Sequence, residues 1–290
     1  MTDIIRNGID VYHRTGEIDW KKVKDSGISF AMCKASQGSK LSDPDSGPFG
    51  DNKFSEYVKG AAKQGIFCGA YHFLTGTSLK KIEEEINFFL KTLKKHPDFI
   101  SYPCAVDMEG ERYRKLSKRE NTSFVKLFCE KVKAEGFIPM LYTNGDFYKN
   151  CFNLSRLKDI DIWFARYYKE PSPLPKPDIP GMTMFQWTSS GSVPGIYGRV
   201  DLNVCYVDYS RRTKGEPAKG ELKTGDRVSF TEKAKTYWPE GPAIPAFAKK
   251  KTYKIIQTES RGKEVVKGGA KCVLLDDINT WTAVDNLSKV

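Results

Sequence analysis

Three short runs place carboxylates inside stretches that otherwise read as buried strand. "AVDMEG" (105–110) holds Asp107 and Glu109 two positions apart, "GIDVY" (8–12) holds Asp10, and "GRVDLN" (198–203) holds Asp201. Burying charge is costly unless the charge is paired or used. Alternate residues of a strand face the same way, roughly 6–7 Å apart along it, so Asp107 and Glu109 are expected to project together. Four acids at strand ends, with no phosphate-binding loop beside them, fit general acid/base work on a glycosidic bond. An Asp-x-Glu pair taken alone reads as readily as solvated loop, and paired acids also hold magnesium or calcium. The residues leave those readings open.

Aromatic side chains fall near the same strand ends: Tyr71, Phe73, Tyr142, Trp163, Tyr167 and Trp187. Such rings either fill a core or offer a flat apolar face on which a pyranose can rest, with a polar handle at the edge. His72, in "AYHF", has no His or Cys partner at metal-ligand spacing and reads as a hydrogen-bonded groove residue. Other chemistries lack their signatures. There is no Gly-x-Ser-x-Gly elbow and no glycine-rich nucleotide loop. "GSVPGIYG" (191–198) is a turn-rich loop with no helix after it to hold a phosphate. Seven cysteines, an odd number with no Cys-x-x-Cys pair, read as reduced structural thiols and argue against zinc. No metal or other cofactor is expected.

The elements that must position these groups alternate between strand and helix up to about residue 209. Strands are expected at 8–12, 29–36, 67–74, 102–109, 139–144, 161–167, 182–188 and 198–206. Helices are expected at 19–27, 52–65, 78–95 and 117–136, the first two closed by glycine. This alternation predicts an α/β fold with a largely parallel sheet, whose site lies at the carboxyl ends of the strands. Helical patterns thin out after residue 150, which predicts an incomplete (β/α) TIM-like barrel. A Lys-, Arg-, Gly- and Pro-rich linker (210–221) separates this domain (1–209) from a small all-β domain (222–290).

Charge is uneven along the chain. Residues 211–290 carry 17 Lys and Arg against 10 Asp and Glu, a net of +7 within the whole-chain total of +11. That balance is either a solvated basic surface or an attraction to anionic polymers. Nucleic acid is disfavoured, because acids interleave with the basic residues and no recognition motif is present. No basic segment followed by an apolar core opens the chain, and the longest apolar runs fall far short of about 18 residues. Neither membrane insertion nor a secretory signal is therefore expected.

The blocks "GIDV…GEIDWKKVKDSGISFAMCKASQG", "GAYHF", "AVDMEG", "LYTN", "WFARY" and "QWTSSGSVPGIYGRVDLN" occur in order over residues 7–209. Together they resemble glycoside hydrolase family 25, the Chalaropsis-type lysozymes. The resemblance implies cleavage of the β-1,4 bond between N-acetylmuramic acid and N-acetylglucosamine in peptidoglycan glycan strands. It also implies Glu109 as general acid, Asp107 and Asp201 orienting the 2-acetamido group and stabilising positive charge, and Asp10 holding the constellation by hydrogen bonds. One departure stands out. After Asp10-Val11 the family often shows a small polar residue, whereas this chain reads Tyr12-His13-Arg14-Thr15.

Residues 222–290 resemble a bacterial SH3-like wall-binding module. That resemblance implies groove residues Tyr237, Trp238, Tyr253 and Trp281 and a partner that is an anionic wall polymer or peptide stem. A core of that size also needs aromatics inside it. The layout resembles a bacteriophage endolysin, made in the host cytoplasm and acting on a Gram-positive wall once the membrane is permeabilised. A secreted autolysin of the same activity and a non-catalytic glycan-binding protein are the alternatives.

Overall fold

The computed structural model describes residues 4–40, 42–43, 45–209, 222, 224–232, 234–260 and 263–290. The chain divides into two compact units, Met1–Glu216 and Pro217–Val290. The expected linker, 210–221, lies outside the described residues.

In the first unit the elements run β1 (Arg6–Val11), α1 (Trp20–Asp25), β2 (Phe30–Gln37), the two-residue β3 (Phe49–Gly50), α2 (Phe54–Lys63), β4 (Phe67–Phe73), α3 (Leu79–Leu93) and β5 (Ile100–Asp107). Then follow α4 (Lys118–Ala134), β6 (Pro139–Asn144), α5 (Gly145–Asn150), β7 (Asp161–Ala165), β8 (Met182–Gly191) and β9 (Val200–Cys205). The helices begin where local chemistry starts them. Ser117 and Glu120 form a reciprocal capping box at α4, and the Ser78 hydroxyl accepts from Lys81 N at α3. The apolar stripe of α3, Ile82, Ile86, Phe89 and Leu93, is buried.

The strand order β1-β9-β8-β7-β6-β5-β4-β2 returns to β1, because β1 also pairs with β2. Eight strands therefore close into a barrel, which corrects the expectation of an incomplete one. What is incomplete is the helical layer: no helix stands between β7 and β8 or between β8 and β9. β9 runs antiparallel to both β8 and β1. An antiparallel neighbour needs only a turn, whereas a parallel one needs a crossover, so the ring closes through the 192–199 loop with no further helix.

Side chains alternate across the strands between two cores. Phe30, Met32, Tyr102, Met140, Met184 and Tyr209 fill the inside of the barrel, and the residues between them face the helices. Packing inside is tight at Gly8, where an added Cβ would lie 2.3 Å from the Phe30 ring.

The second unit is all β. Its strands are β10 (Arg227–Phe230), β11 (Thr252–Gln257), β12 (Glu259–Ser260), β13 (Lys263–Lys267), β14 (Ala270–Leu275), β15 (Thr280–Ala283) and β16 (Leu287–Lys289). They pair antiparallel in the order β12-β13-β14-β11-β10-β16, with β15 on β14. Of the four aromatics expected in a groove, two are core. Tyr237 and Tyr253 are buried against the Phe230 ring, and the Tyr253 hydroxyl donates to Ala248 O. A unit this small spends its large rings on its own interior. Trp281 and Trp238 are half-buried, and the Lys267 ammonium lies 4.3 Å over the Trp238 ring. No helix among the described residues is long and apolar enough to cross a membrane.

Candidate active site

Four carboxyl groups meet at one mouth of the barrel. Asp10, near the end of β1, lies directly across from Asp201 in the antiparallel β1–β9 register. Asp201 stands at the start of its strand. Because β9 runs against the others, that start reaches the mouth where the parallel strands have their carboxyl ends. Asp107 is the last residue of β5. Met108 continues the alternation, buried toward the helices, and Glu109 turns back to the mouth just beyond the strand.

The four sites differ electrostatically. Asp10 is buried, and its Oδ2 accepts from Gln186 Nε2 and Asn203 Nδ2, both at 2.7 Å. Burial first, and the neighbouring Asp201 charge second, hold its carboxyl well above the usual range. Burial raises Asp201 too, and its hydrogen bond with Asp10 opposes the rise. Asp10 and Asp201 therefore face each other as two raised carboxyls, and ionisation of one opposes ionisation of the other. Asp107 is raised by burial and by Glu109, against the pull of the Lys34 ammonium. Its Oδ1 is buried with no hydrogen-bond partner among the described residues. Glu109 is half-buried and raised chiefly by burial. Asn144 Nδ2, donating to its Oε2 at 3.4 Å, opposes that shift.

Three amides orient these acids, and each amide is oriented in turn. Gln186 Oε1 accepts from the Tyr142 and Tyr167 hydroxyls at 2.8 and 2.6 Å, which turns its NH₂ to Asp10. Asn203 Oδ1 accepts from Trp163 Nε1 at 2.7 Å; an indole N–H only donates, so this NH₂ also faces Asp10. Asn144 Oδ1 caps α5 by accepting from Asp146 N and Phe147 N, leaving its NH₂ for Glu109. Sequence reasoning missed Gln186, Asn203, Asn144 and Lys34. Their signal was available in part: Asn203 is two residues from Asp201, and Asn144 directly precedes α5.

The expected sugar-contacting aromatics divide. The Tyr167 ring is 51% exposed beside the acids and can meet a ligand face. Tyr71 and Tyr142 are buried in the barrel wall, each edge-on to Trp163. Trp163 is 1% exposed, so it holds Asn203 and offers no platform. Trp187 is not in the mouth: it sits at an irregularity in the β8–β9 pairing and packs against the outer core. His72 is not in the mouth either. It faces the helices, fully buried, with Nδ1 at 2.8 Å from Ser36 Oγ and Nε2 at 2.8 Å from Glu85 Oε2. Tyr71 faces in, so its neighbour on β4 must face out.

Glu109, Tyr142, Asn144, Arg166 and Tyr167 line a cleft of about 450 Å³. A second cleft of about 690 Å³, lined by Phe73, Thr75, Gly110 and Arg112 among others, opens on the other side of the β5 end. All seven cysteines are buried thiols. Among the described residues no three His, Cys, Asp or Glu side chains are grouped as metal ligands. A carboxyl raised by burial, beside two further carboxyls that face each other, can protonate a leaving oxygen and stabilise positive charge near it.

Comparison with known proteins gives the following. Residues 9–196 match the family described as glycosyl hydrolases family 25. The autolytic lysozyme of Clostridium acetobutylicum is 30% identical over 200 residues, 68% of this chain and 54% of its own length. The chain thus spans about half the length of that relative. A family 25 glycosyl hydrolase structure from Bacillus anthracis aligns over 72% of this chain and 92% of its own, at 26% identity and TM-score 0.56. The spore cortex lytic enzyme SleM of Clostridium perfringens, 19% identical, shares the fold over 98% of this chain and 96% of its own at TM-score 0.63.

Proposed function

The chain is an enzyme of glycosyl hydrolases family 25, and on that premise we propose that it is a muramidase, hydrolysing the β-1,4 bond from N-acetylmuramic acid to N-acetylglucosamine in peptidoglycan. The observation that carries the reading is Glu109: a half-buried carboxyl, raised by burial, in a cleft beside the Asp10–Asp201 pair and Asp107. The name of the Clostridium relative, an autolytic lysozyme, supports it.

In this reading Glu109 gives its proton to the glycosidic oxygen as the bond to the anomeric carbon breaks. The Asp10–Asp201 pair faces the positive charge that develops there and stabilises it. Asp107 Oδ1, buried and lacking a protein donor among the described residues, accepts the N–H of the 2-acetamido group. That turns the acetamido oxygen toward the anomeric carbon for substrate-assisted attack. Water then attacks the same carbon and displaces the acetamido oxygen, losing its proton to the Glu109 carboxylate, which restores the acid. No step calls for a metal or other cofactor.

The biological setting is proposed on the two-unit layout. A catalytic unit joined to a basic all-β unit of SH3-like type suits a phage endolysin that is made in the host cytoplasm and must stay on the insoluble Gram-positive wall. Holding the enzyme at the polymer raises its local concentration there. An excess of basic residues suits anionic wall polymers.

New reducing ends released from purified Gram-positive walls test the activity. A positioned general acid is worth about 10²–10⁴-fold in rate, so Glu109→Gln should lose that much while still sedimenting with walls. Equal rates for wild type and variant would overturn the assignment.

A further inference from the structure

The loop after β1, where the chain departs from the family pattern, builds something of its own. His13–Thr15 form a single 3-10 turn, closed by Thr15 N donating to Tyr12 O at 2.8 Å. The Tyr57 hydroxyl holds the next residue through Gly16 O at 2.6 Å. His13 donates to Asp51 Oδ2 from its backbone N at 3.0 Å and from Nδ1 at 2.8 Å. Lys53 N takes Asp51 Oδ1, and the Asp51 side chain is only 1% exposed. Arg14 therefore projects from an ordered turn, above a carboxylate that accepts three hydrogen bonds from that turn and from Lys53.

Arg14, Lys34 and Lys40 line one cavity of about 420 Å³ with Asp51 and His13. None of the three cations makes an ion pair among the described residues; Lys34 Nζ donates to Gln37 Oε1 at 2.8 Å. Like charges gathered around a small concavity repel, and a bound anion relieves the repulsion. The cavity borders the active site through Lys34. That residue stands on β2, next in the barrel to the strand of Asp10, and its charge is felt at Asp107.

We propose that this cavity is an anion subsite of the catalytic unit, which takes a carboxylate of the peptide carried on the muramic acid of the substrate. The proposal rests on the muramidase reading. In that reading the muramic ring sits over four acids that would repel an anionic substituent, and that substituent leaves the ring next to the site. The three cations offset that repulsion and select glycan that carries peptide. A phosphate of a wall polymer offers similar chemistry from another source.

The full chain and Arg14→Gln/Lys40→Gln are compared on glycan strands freed of phosphate polymers, with and without their peptides, and on peptide-free strands that retain phosphate. Loss of two charge-assisted contacts is expected to raise KM for peptide-bearing glycan about tenfold, far more than for bare glycan, with kcat little changed. Added salt should narrow the gap between the proteins. Arg14→Lys/Lys40→Arg should recover most of the preference. Lys91→Gln/Lys133→Gln, with the same charge loss on α3 and α4, should leave the preference in place. Equal losses on bare and peptide-bearing strands, or a loss that follows phosphate, would overturn the proposal. Titration of a soluble disaccharide–peptide into the Glu109→Gln protein, with and without the pair of substitutions, tests the subsite apart from catalysis. A tenfold weaker Kd supports it and an unchanged one sinks it. If no glycan is cleaved by wild type, the muramidase reading has failed, and the titration still decides the subsite.

Discussion

Asp107 sets chemistry against stability. Its carboxyl is raised by burial, so in the folded chain it holds a proton that the unfolded chain releases earlier. Between the ordinary carboxylate range and the folded value, ionisation favours unfolding, and stability contributed by this residue falls as pH rises through that window. Asp107→Asn should therefore unfold at a higher temperature than wild type at pH 7, by about 0.5–2 kcal/mol, and lose the difference near pH 4 while activity collapses. A lower melting temperature at pH 7 would contradict this account of the buried carboxyl. Asn144 tunes the neighbouring acid. Its NH₂ favours the ionised form of Glu109, so Asn144→Ser, which can still cap α5, should move the alkaline limb of kcat/KM to higher pH. A limb that stays or moves down would remove Asn144 from this role. The four acids were legible because charge inside strand-like runs is anomalous. The amides beside them were not, since a Gln or Asn in a strand carries no anomaly until its partners across the barrel are known.

β4 shows how one element serves two interiors. Tyr71 faces the barrel, while His72, one residue on, lies between Ser36 and Glu85 and against the Phe89 and Phe128 rings. Glu85 Oε2 also accepts from Thr75 N, and its Oε1 from Thr75 Oγ1, so this cluster ties α3 to the segment after β4. His72→Phe would leave the Glu85 carboxylate with those bonds alone. Leaving a buried acceptor short of its hydrogen-bond partner costs about 1–3 kcal/mol, which thermal unfolding should show as a clear fall, while KM of the protein that remains folded stays near wild type. Unaltered stability with a raised KM would return His72 to the groove. Most strands and helices were readable within a residue or two from period and caps. The facing of His72, Trp163 and Trp187 was not, because a polar or aromatic residue near a strand end suits either side of a sheet.

At the scale of the molecule, a closed eight-strand barrel and a small all-β unit each carry a core of their own. The second unit, residues 217–290, carries 14 Lys and Arg against 9 Asp and Glu, a net of +5 on about a quarter of the chain, and Trp238 and Trp281 are the expected groove rings that its core leaves partly accessible. Residues 217–290 produced alone should sediment with Gram-positive walls at low salt and be released as salt screens the attraction. A fragment that stays in solution at low salt would remove the wall-holding role. The sequence by itself determined the α/β alternation, the acids at strand ends, the change to a basic all-β segment and the family, since periodicity, anomalous charge and ordered motifs are local properties. Closure of the barrel, the facing of Asp10 and Asp201 across β1 and β9, and the division of aromatics between wall, platform and core were decided only by tertiary structure. Each depends on which strands become neighbours and in which register, and that is set by packing between residues as far apart in the chain as Asp10 and Asn203.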